Sequence, residues 1–153
     1  AEALTLGDKV CVMHSGAIIQ MAPPQEVYGK PADRFVAQFV GEMNFIQGEV
    51  TGSGEIRSPL GTIQARVPNG LSAGTSVTLA VRPEHVRVSA APGSDDNIHY
   101  GKITSKNYLG DCALLEVEVE GVSLLAKLAG DSELAIGSAA VVEIPAHRWH
   151  VFP

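Results

Sequence analysis

The 153-residue chain has little of what the commonest functions demand. It holds two cysteines, Cys11 and Cys112, far apart in sequence. A disulfide framework is therefore excluded as the organising device, and a reducing compartment is the simpler expectation. Its 11 Lys+Arg are scattered singly in a chain of formal charge −6. Nucleic-acid binding draws on clustered cations that displace phosphate counterions, so no nucleic-acid partner is expected. No apolar run approaches the roughly 18 residues of a membrane helix, so no direct membrane insertion is expected either. No basic stretch followed by an apolar block reads as a signal peptide. The G-x-x-x-x-G-K-[ST] phosphate loop is missing. Gly29-Lys30 is followed by Pro31 and Gly101-Lys102 by Ile103, with no glycine five residues upstream. H-E-x-x-H is missing as well, and no cysteine lies near His147 or His150, which stand three apart in what reads as a strand-like tail. No metal, cofactor or catalytic residue is expected in this chain, since no nucleophile–base pair or paired carboxylates can be assembled. Cys112, beside Asp111 and with Lys106 the nearest cation, reads as a buried structural thiol.

What is present falls into two patterns. Over residues 1–42 helix and strand alternate. Ala1–Leu6 holds helix formers, Val10–Met13 is a short apolar run, and His14-Ser15-Gly16 is turn material leading into Ala17–Met21. Pro24 suits the first position of a helix through Tyr28, where its missing N–H costs nothing, and Pro31 repeats the device. Phe35, Val36, Phe39 and Val40 then form one apolar stripe, with Gly41 as a left-handed stop.

From Phe45 the period changes to two. Strands are expected over Phe45–Thr51, Glu55–Ser58, Thr62–Val67, Ser76–Arg82 and Val86–Ser89. After a polar break at Pro92–Asn97 they resume over Ile98–Tyr108, Cys112–Val119, Val122–Leu128, Ala139–Ile144 and His150–Phe152. Gly52-Ser53-Gly54, Pro68-Asn69-Gly70, Leu109-Gly110-Asp111 and Glu120-Gly121 separate them as turns. Leu114, Val117 and Val119 break strict alternation, which points to a bulge in that strand. So many short strands predict a mainly β fold, one small barrel or two related ones.

These residues together resemble the C-terminal part of the ATP-binding subunits of ABC importers. The carriers are Glu2-Ala3-Leu4-Thr5-Leu6-Gly7-Asp8, Gly16-Ala17-Ile18-Ile19-Gln20, Pro24-Gln25-Glu26-Val27-Tyr28 and Pro31 through Gly41, followed by Asn44-Phe45. The later half resembles the TOBE (transport-associated OB) regulatory domain of the same subunits, on Arg82-Pro83-Glu84-His85-Val86, Tyr108-Leu109-Gly110-Asp111 and Trp149 to Phe152. The resemblance implies an OB-like TOBE barrel over 43–153, divided into sub-barrels 43–91 and 98–153, preceded over 1–42 by a small α/β remnant of the ATPase domain. It implies a regulatory, homodimerising region that works beside transmembrane permease subunits, cytoplasmic and peripheral to the inner membrane. ATP and Mg belong to the full-length parent, whose phosphate loop, magnesium carboxylate and switch histidine would precede Ala1. Without them phosphoryl transfer is not expected here. A free-standing binding protein for a small oxyanion of the molybdate type is the alternative.

Several residues carry two readings. Arg82-Pro83-Glu84 is either a strand terminator with a solvated ion pair or a contact of the regulatory interface or of a ligand crevice. Tyr108 to Asp111 is either a hairpin whose Gly110 takes positive φ and whose Asp111 caps amides, or an anion site built on amides beside that glycine. Trp149 reads as a core or dimer anchor. The apolar stripe of residues 35–40 predicts self-association through 1–42 wherever its cover is missing.

Overall fold

The computed structural model describes residues 9–93 and 97–153 and divides the chain into two compact units, Ala1–Met43 and Asn44–Pro153. The helix expected over Ala1–Leu6 lies outside the described residues.

In the first unit β1 (Val10–His14) and β2 (Ala17–Ala22) form an antiparallel hairpin. Ser15 (φ 53°) and Gly16 (φ 80°) both take left-handed backbone, the requirement of a tight two-residue turn that follows the twist of the strands. Helix α1 (Pro24–Gly29) opens on its proline, as expected. Helix α2 (Arg34–Phe39) does not open on Pro31. It starts at Asp33, whose side chain accepts the Val36 N–H at 2.9 Å and satisfies an otherwise orphaned donor. Nor is Gly41 its stop: the helix closes on Val40 in right-handed backbone, and Gly41 has no positive φ. Gln20 fastens the helical segment to the hairpin, its amide donating to Lys30 O and accepting from Ala32 N. Val10, Val12, Ala22, Val27, Val36 and Val40 close a small core. Half of the apolar stripe is thus covered within the unit, while Phe39 stays 63% exposed.

Among the described residues the regular structure of the second unit is β apart from two single turns of 3₁₀ helix, Pro83–His85 and Ala146–Arg148. Its strands are β3 (Asn44–Gly52), β4 (Glu55–Ser58), β5 (Gly61–Gln64), β6 (Ser76–Val81), β7 (Arg87–Ser89), β8 (Ile98–Tyr108), β9 (Cys112–Val119), β10 (Val122–Ala129), β11 (Ala139–Glu143) and β12 (His150–Phe152). They pair as two five-stranded antiparallel sheets, β12-β6-β3-β4-β5 and β7-β11-β8-β9-β10, around one core to which both contribute.

The two sheets are built alike. Each has three hairpin-linked strands (β3-β4-β5, β8-β9-β10), a fourth that returns to pair with the first (β6, β11), a 3₁₀ turn, and a three-residue strand. That last strand crosses over: β7 pairs with β11 and β12 with β6. The sheets therefore do not correspond to two consecutive halves of the chain, and residues 87–89 belong with the later sheet. Three of the residues in the polar break, 94–96, lie outside the described residues.

The likeness extends to single residues. Asn44 and Asn97 open the repeats, and each clamps the edge strand of the opposite sheet. The Asn44 amide accepts from Leu125 N and donates to Leu125 O, both at 2.8 Å, and also reaches Val81 O. The Asn97 amide accepts from Gln64 N and donates to Gln64 O and to Ile144 O, all at 2.8 Å. A side-chain amide carries the same donor and acceptor as a peptide group, so each asparagine supplies the missing rung at a sheet edge. Four residues on, Gly48 and Gly101 sit where a methyl group would strike the neighbouring strand. Three further on, Thr51 and Thr104 each occupy a register shift and donate from Oγ1 to Glu55 O and Glu116 O. The expected bulge is therefore on β8, opposite β9, and not in Cys112–Val119 itself, whose pairing with β10 is regular. Gly74 and Gly137, both at positive φ, send their N–H to Val50 O and Ile103 O.

Strand β5 stops at Gln64, short of the expected Val67, because β4 begins only at Glu55 and leaves nothing further to pair with. The second hairpin runs on past its bulge, so β8, β9 and β10 are longer than β3, β4 and β5.

Candidate regulatory sites

The expected site residues fall at two places. Arg82, Glu84 and Trp149 lie where the chain crosses between the sheets; Tyr108, Gly110 and Asp111 lie at the tip of the β8–β9 hairpin.

At the crossover, Pro83 ends β6 as a residue without an N–H must, and the chain turns through Pro83–His85. Arg82 is 1% exposed, while Glu84 faces solvent. Trp149 follows the second 3₁₀ turn and is a core residue at 3% exposure, with its indole N–H buried and without a hydrogen-bond acceptor. His147 is part of this turn and His150 opens β12 at the expected place, so the strand-like tail is strand only from His150 onward.

The two turns share an electrostatic neighbourhood. Burial pulls the His85 pKa below the ordinary imidazole value; Arg148, Arg82 and His147 pull the same way, and Glu84 pulls against them. His150 is also lowered, by burial first and then by Arg82 and His85. Each positive neighbour disfavours another. The crossover thus brings Arg82 and Arg148 of different turns together with Glu84 and the imidazoles of His85 and His150, whose neutral forms this surrounding favours. Sequence reasoning missed it because no two of the arginines are near each other along the chain. Among the described residues no three His, Cys, Asp or Glu side chains converge as a metal site.

At the hairpin tip Gly110 takes φ +96°, as expected, and the Tyr108 hydroxyl donates to Gly110 O. Leu109 N–H reaches Cys112 O, and Gly130 N–H reaches the Asp111 carbonyl, so the amide contact at Asp111 falls on its backbone. Lys106 ties the extended hairpin to the following loop through Ser132 O and the Asp131 carboxylate. The Ser132 N–H, then Lys106, hold that carboxyl below its usual range. Tyr108 and Leu109 remain 53% exposed. Cys112 is buried and its thiol is pushed up in pKa by desolvation first and by Asp111 next, which fits a structural role.

The first repeat has no such tip. The chain turns at Gly52–Gly54 directly after the bulge and leaves an open cleft of about 330 Å³ against Val67–Ala73.

A family model described as the TOBE domain matches residues 79–152, from the middle of β6 through β12. Residues 79–152 are similar to the TOBE domain. The strand exchange and the whole second repeat lie inside that TOBE match. The chain is 43% identical to a spermidine/putrescine import ATP-binding protein of Mesorhizobium japonicum, over 60% of this chain and 27% of that protein. It is 32% identical to an sn-glycerol-3-phosphate import ATP-binding protein of Salmonella choleraesuis, over 99% of this chain and 43% of that protein. The chain is therefore related to the C-terminal region of ABC importer ATP-binding subunits, and it spans less than half the length of these relatives. A cytoplasmic molybdate-binding protein, ModG, shares the fold, with a TM-score of 0.62 over 71% of this chain and 94% of that one, at 20% identity. No helix among the described residues is long and apolar enough to cross a membrane.

Proposed function

We propose that this chain is the regulatory and dimerising region of an importer's ATP-binding subunit and has no catalytic role of its own. The observation that carries the reading is the match to import ATP-binding proteins along almost the whole chain, joined to a β domain without a phosphate loop. The domain would act by contact differences. A ligand or partner that prefers one arrangement of a paired domain shifts the transport cycle by its difference in affinity between the two. ATP, Mg, the permease subunits and a place at the cytoplasmic face of the membrane would belong to the whole subunit.

Two measurements on the purified chain test this. With ATP and Mg present, phosphate release is expected to stay at the buffer rate, and the melting temperature is expected not to move. Turnover that survives repurification overturns the non-catalytic reading. Sedimentation is expected to show a dimer, and a monomer across the micromolar range overturns the pairing.

The meeting of Arg82 and Arg148 at the crossover favours a second reading, a small-oxyanion site. The single Trp149 lies between His147-Arg148 and His150 in sequence and reports on it. Saturable quenching of its fluorescence by molybdate, sulfate or phosphate would favour this second reading. An unchanged spectrum at millimolar anion leaves the pairing role alone.

A further inference from the structure

The two repeats pose a question that neither answers alone: what covers the Val67–Ala73 loop? In the second repeat the corresponding loop is held by the chain's own extended hairpin. Ile103 exchanges backbone hydrogen bonds with Gly137 and Ser138, and three residues later Lys106 is fastened to Asp131 and Ser132 of the same loop. In the first repeat Val50 makes the same exchange with Gly74 and Thr75. There the hairpin ends at once, and a cleft lies open between its turn and the Val67–Ala73 loop.

The chemistry of that cleft narrows its occupant. Its described lining joins the glycines 52, 54 and 70 and the polar Ser53 and Asn69 to the apolar Val67 and Leu71, and includes no charged residue. At about 330 Å³ it stands at the low end of the volumes that hold small ligands, roughly 300–1,000 Å³. A neutral, partly apolar segment with main-chain hydrogen-bonding groups fits it better than an ion. The second repeat carries such a segment: Tyr108-Leu109-Gly110, a neutral tip with both large side chains more than half exposed.

We infer that the Tyr108–Gly110 tip of one copy occupies the Gly52–Gly54/Val67–Ala73 cleft of a second copy. The inference rests on the pairing proposed above and says where that pairing occurs. Each copy offers one tip and one cleft, and a two-fold pair that used both would leave no open end.

The test uses the whole chain, with sedimentation equilibrium as the readout and a thermal melt as the check on folding. Leu109 and Ala73 are both solvent-exposed, so charged replacements there leave the core untouched. Leu109→Lys and Ala73→Asp are each expected to weaken dimerisation at least tenfold, and the chain carrying both is expected to recover most of it. A wild-type dimer that neither single substitution weakens overturns this inference and leaves the pairing standing. So does a loss that the double substitution fails to restore. A wild-type chain that stays monomeric overturns the pairing itself.

Discussion

Repeat one, Asn44–Ser89, turns back immediately after its bulge at Thr51, whereas repeat two, Asn97–Phe152, runs on from Thr104 to Tyr108 before turning. Everything up to the bulge is shared: the clamping asparagine, the glycine four residues on, the threonine that ties the bulge. Shared positions are those where the fold has one physical solution, such as an edge that needs a donor and acceptor or a strand crossing with no room for a methyl group. Past the bulge the repeats part on their solvent side, where one has a protruding tip and the other a cleft.

The sharpest way to probe this comparison is to remove the clamps. Asn97 is 3% exposed and serves Gln64 N, Gln64 O and Ile144 O; Asn44 is only half-buried. Leaving buried partners unsatisfied costs about 1–3 kcal/mol per group. Asn97→Ala should therefore lower stability in urea unfolding by about 4 kcal/mol and Asn44→Ala by about 2 kcal/mol. Equal losses would show that burial does not distinguish the two clamps.

The glycines come next. A methyl group on Gly101 would lie 2.5 Å from the Glu118 carbonyl oxygen, a backbone atom that cannot step aside. On Gly48 the nearest atom, at 2.6 Å, is the Ile56 Cγ2, the end of a side chain. Overpacking costs about 1–3 kcal/mol, so Gly101→Ala should fall at the top of that range and Gly48→Ala near the bottom, compared by the same unfolding curves.

A difference of charge follows. Repeat one buries Ile46 where repeat two, at the corresponding register, buries His99. Burial lowers the His99 pKa below 6.5, against a hydrogen bond to the Leu60 backbone that raises it. The unfolded chain then binds the proton more readily than the folded one, so stability is complete above about pH 6.5 and declines as pH falls below it. His99→Ile should flatten that decline in melts recorded from pH 7.5 to 5; a slope unchanged by the substitution would place the titration elsewhere.

Smallest are the bulge ties. Both threonine hydroxyls are exposed, with Oγ1···O distances of 3.4 Å at Thr51 and 3.2 Å at Thr104. Thr51→Val and Thr104→Val should each cost about 0.5 kcal/mol, within the ordinary range of one solvent-accessible hydrogen bond. A loss several times larger at either would mean the bulge depends on its tie.

Much of this was legible in the sequence. Period-two patterning located all ten strands of the β domain, because alternation is a local consequence of one buried face. The hairpin turns were legible in the same way: Gly16 and Gly110 sit where left-handed backbone is required. The duplication was also there to be read, in Asn44-Phe45-Ile46-Gln47-Gly48-Glu49-Val50-Thr51 and Asn97-Ile98-His99-Tyr100-Gly101-Lys102-Ile103-Thr104. It is hidden downstream because the longer second hairpin shifts the register of everything after it. The meeting of Arg82 and Arg148 at the crossover had no local signal, since they belong to different repeats.

By itself, then, the sequence determined the β pattern, the turn positions, the helical lead-in and the kinship with importer subunits, all of which follow from local chemistry and order along the chain. Only the tertiary structure decided that β7 and β12 change sheets, that two asparagines close the opposite edges, and that the charged turns of both repeats meet. Each of these joins groups far apart in sequence. A three-residue strand carries the same pattern whichever edge it joins, and only the packed core selects the edge.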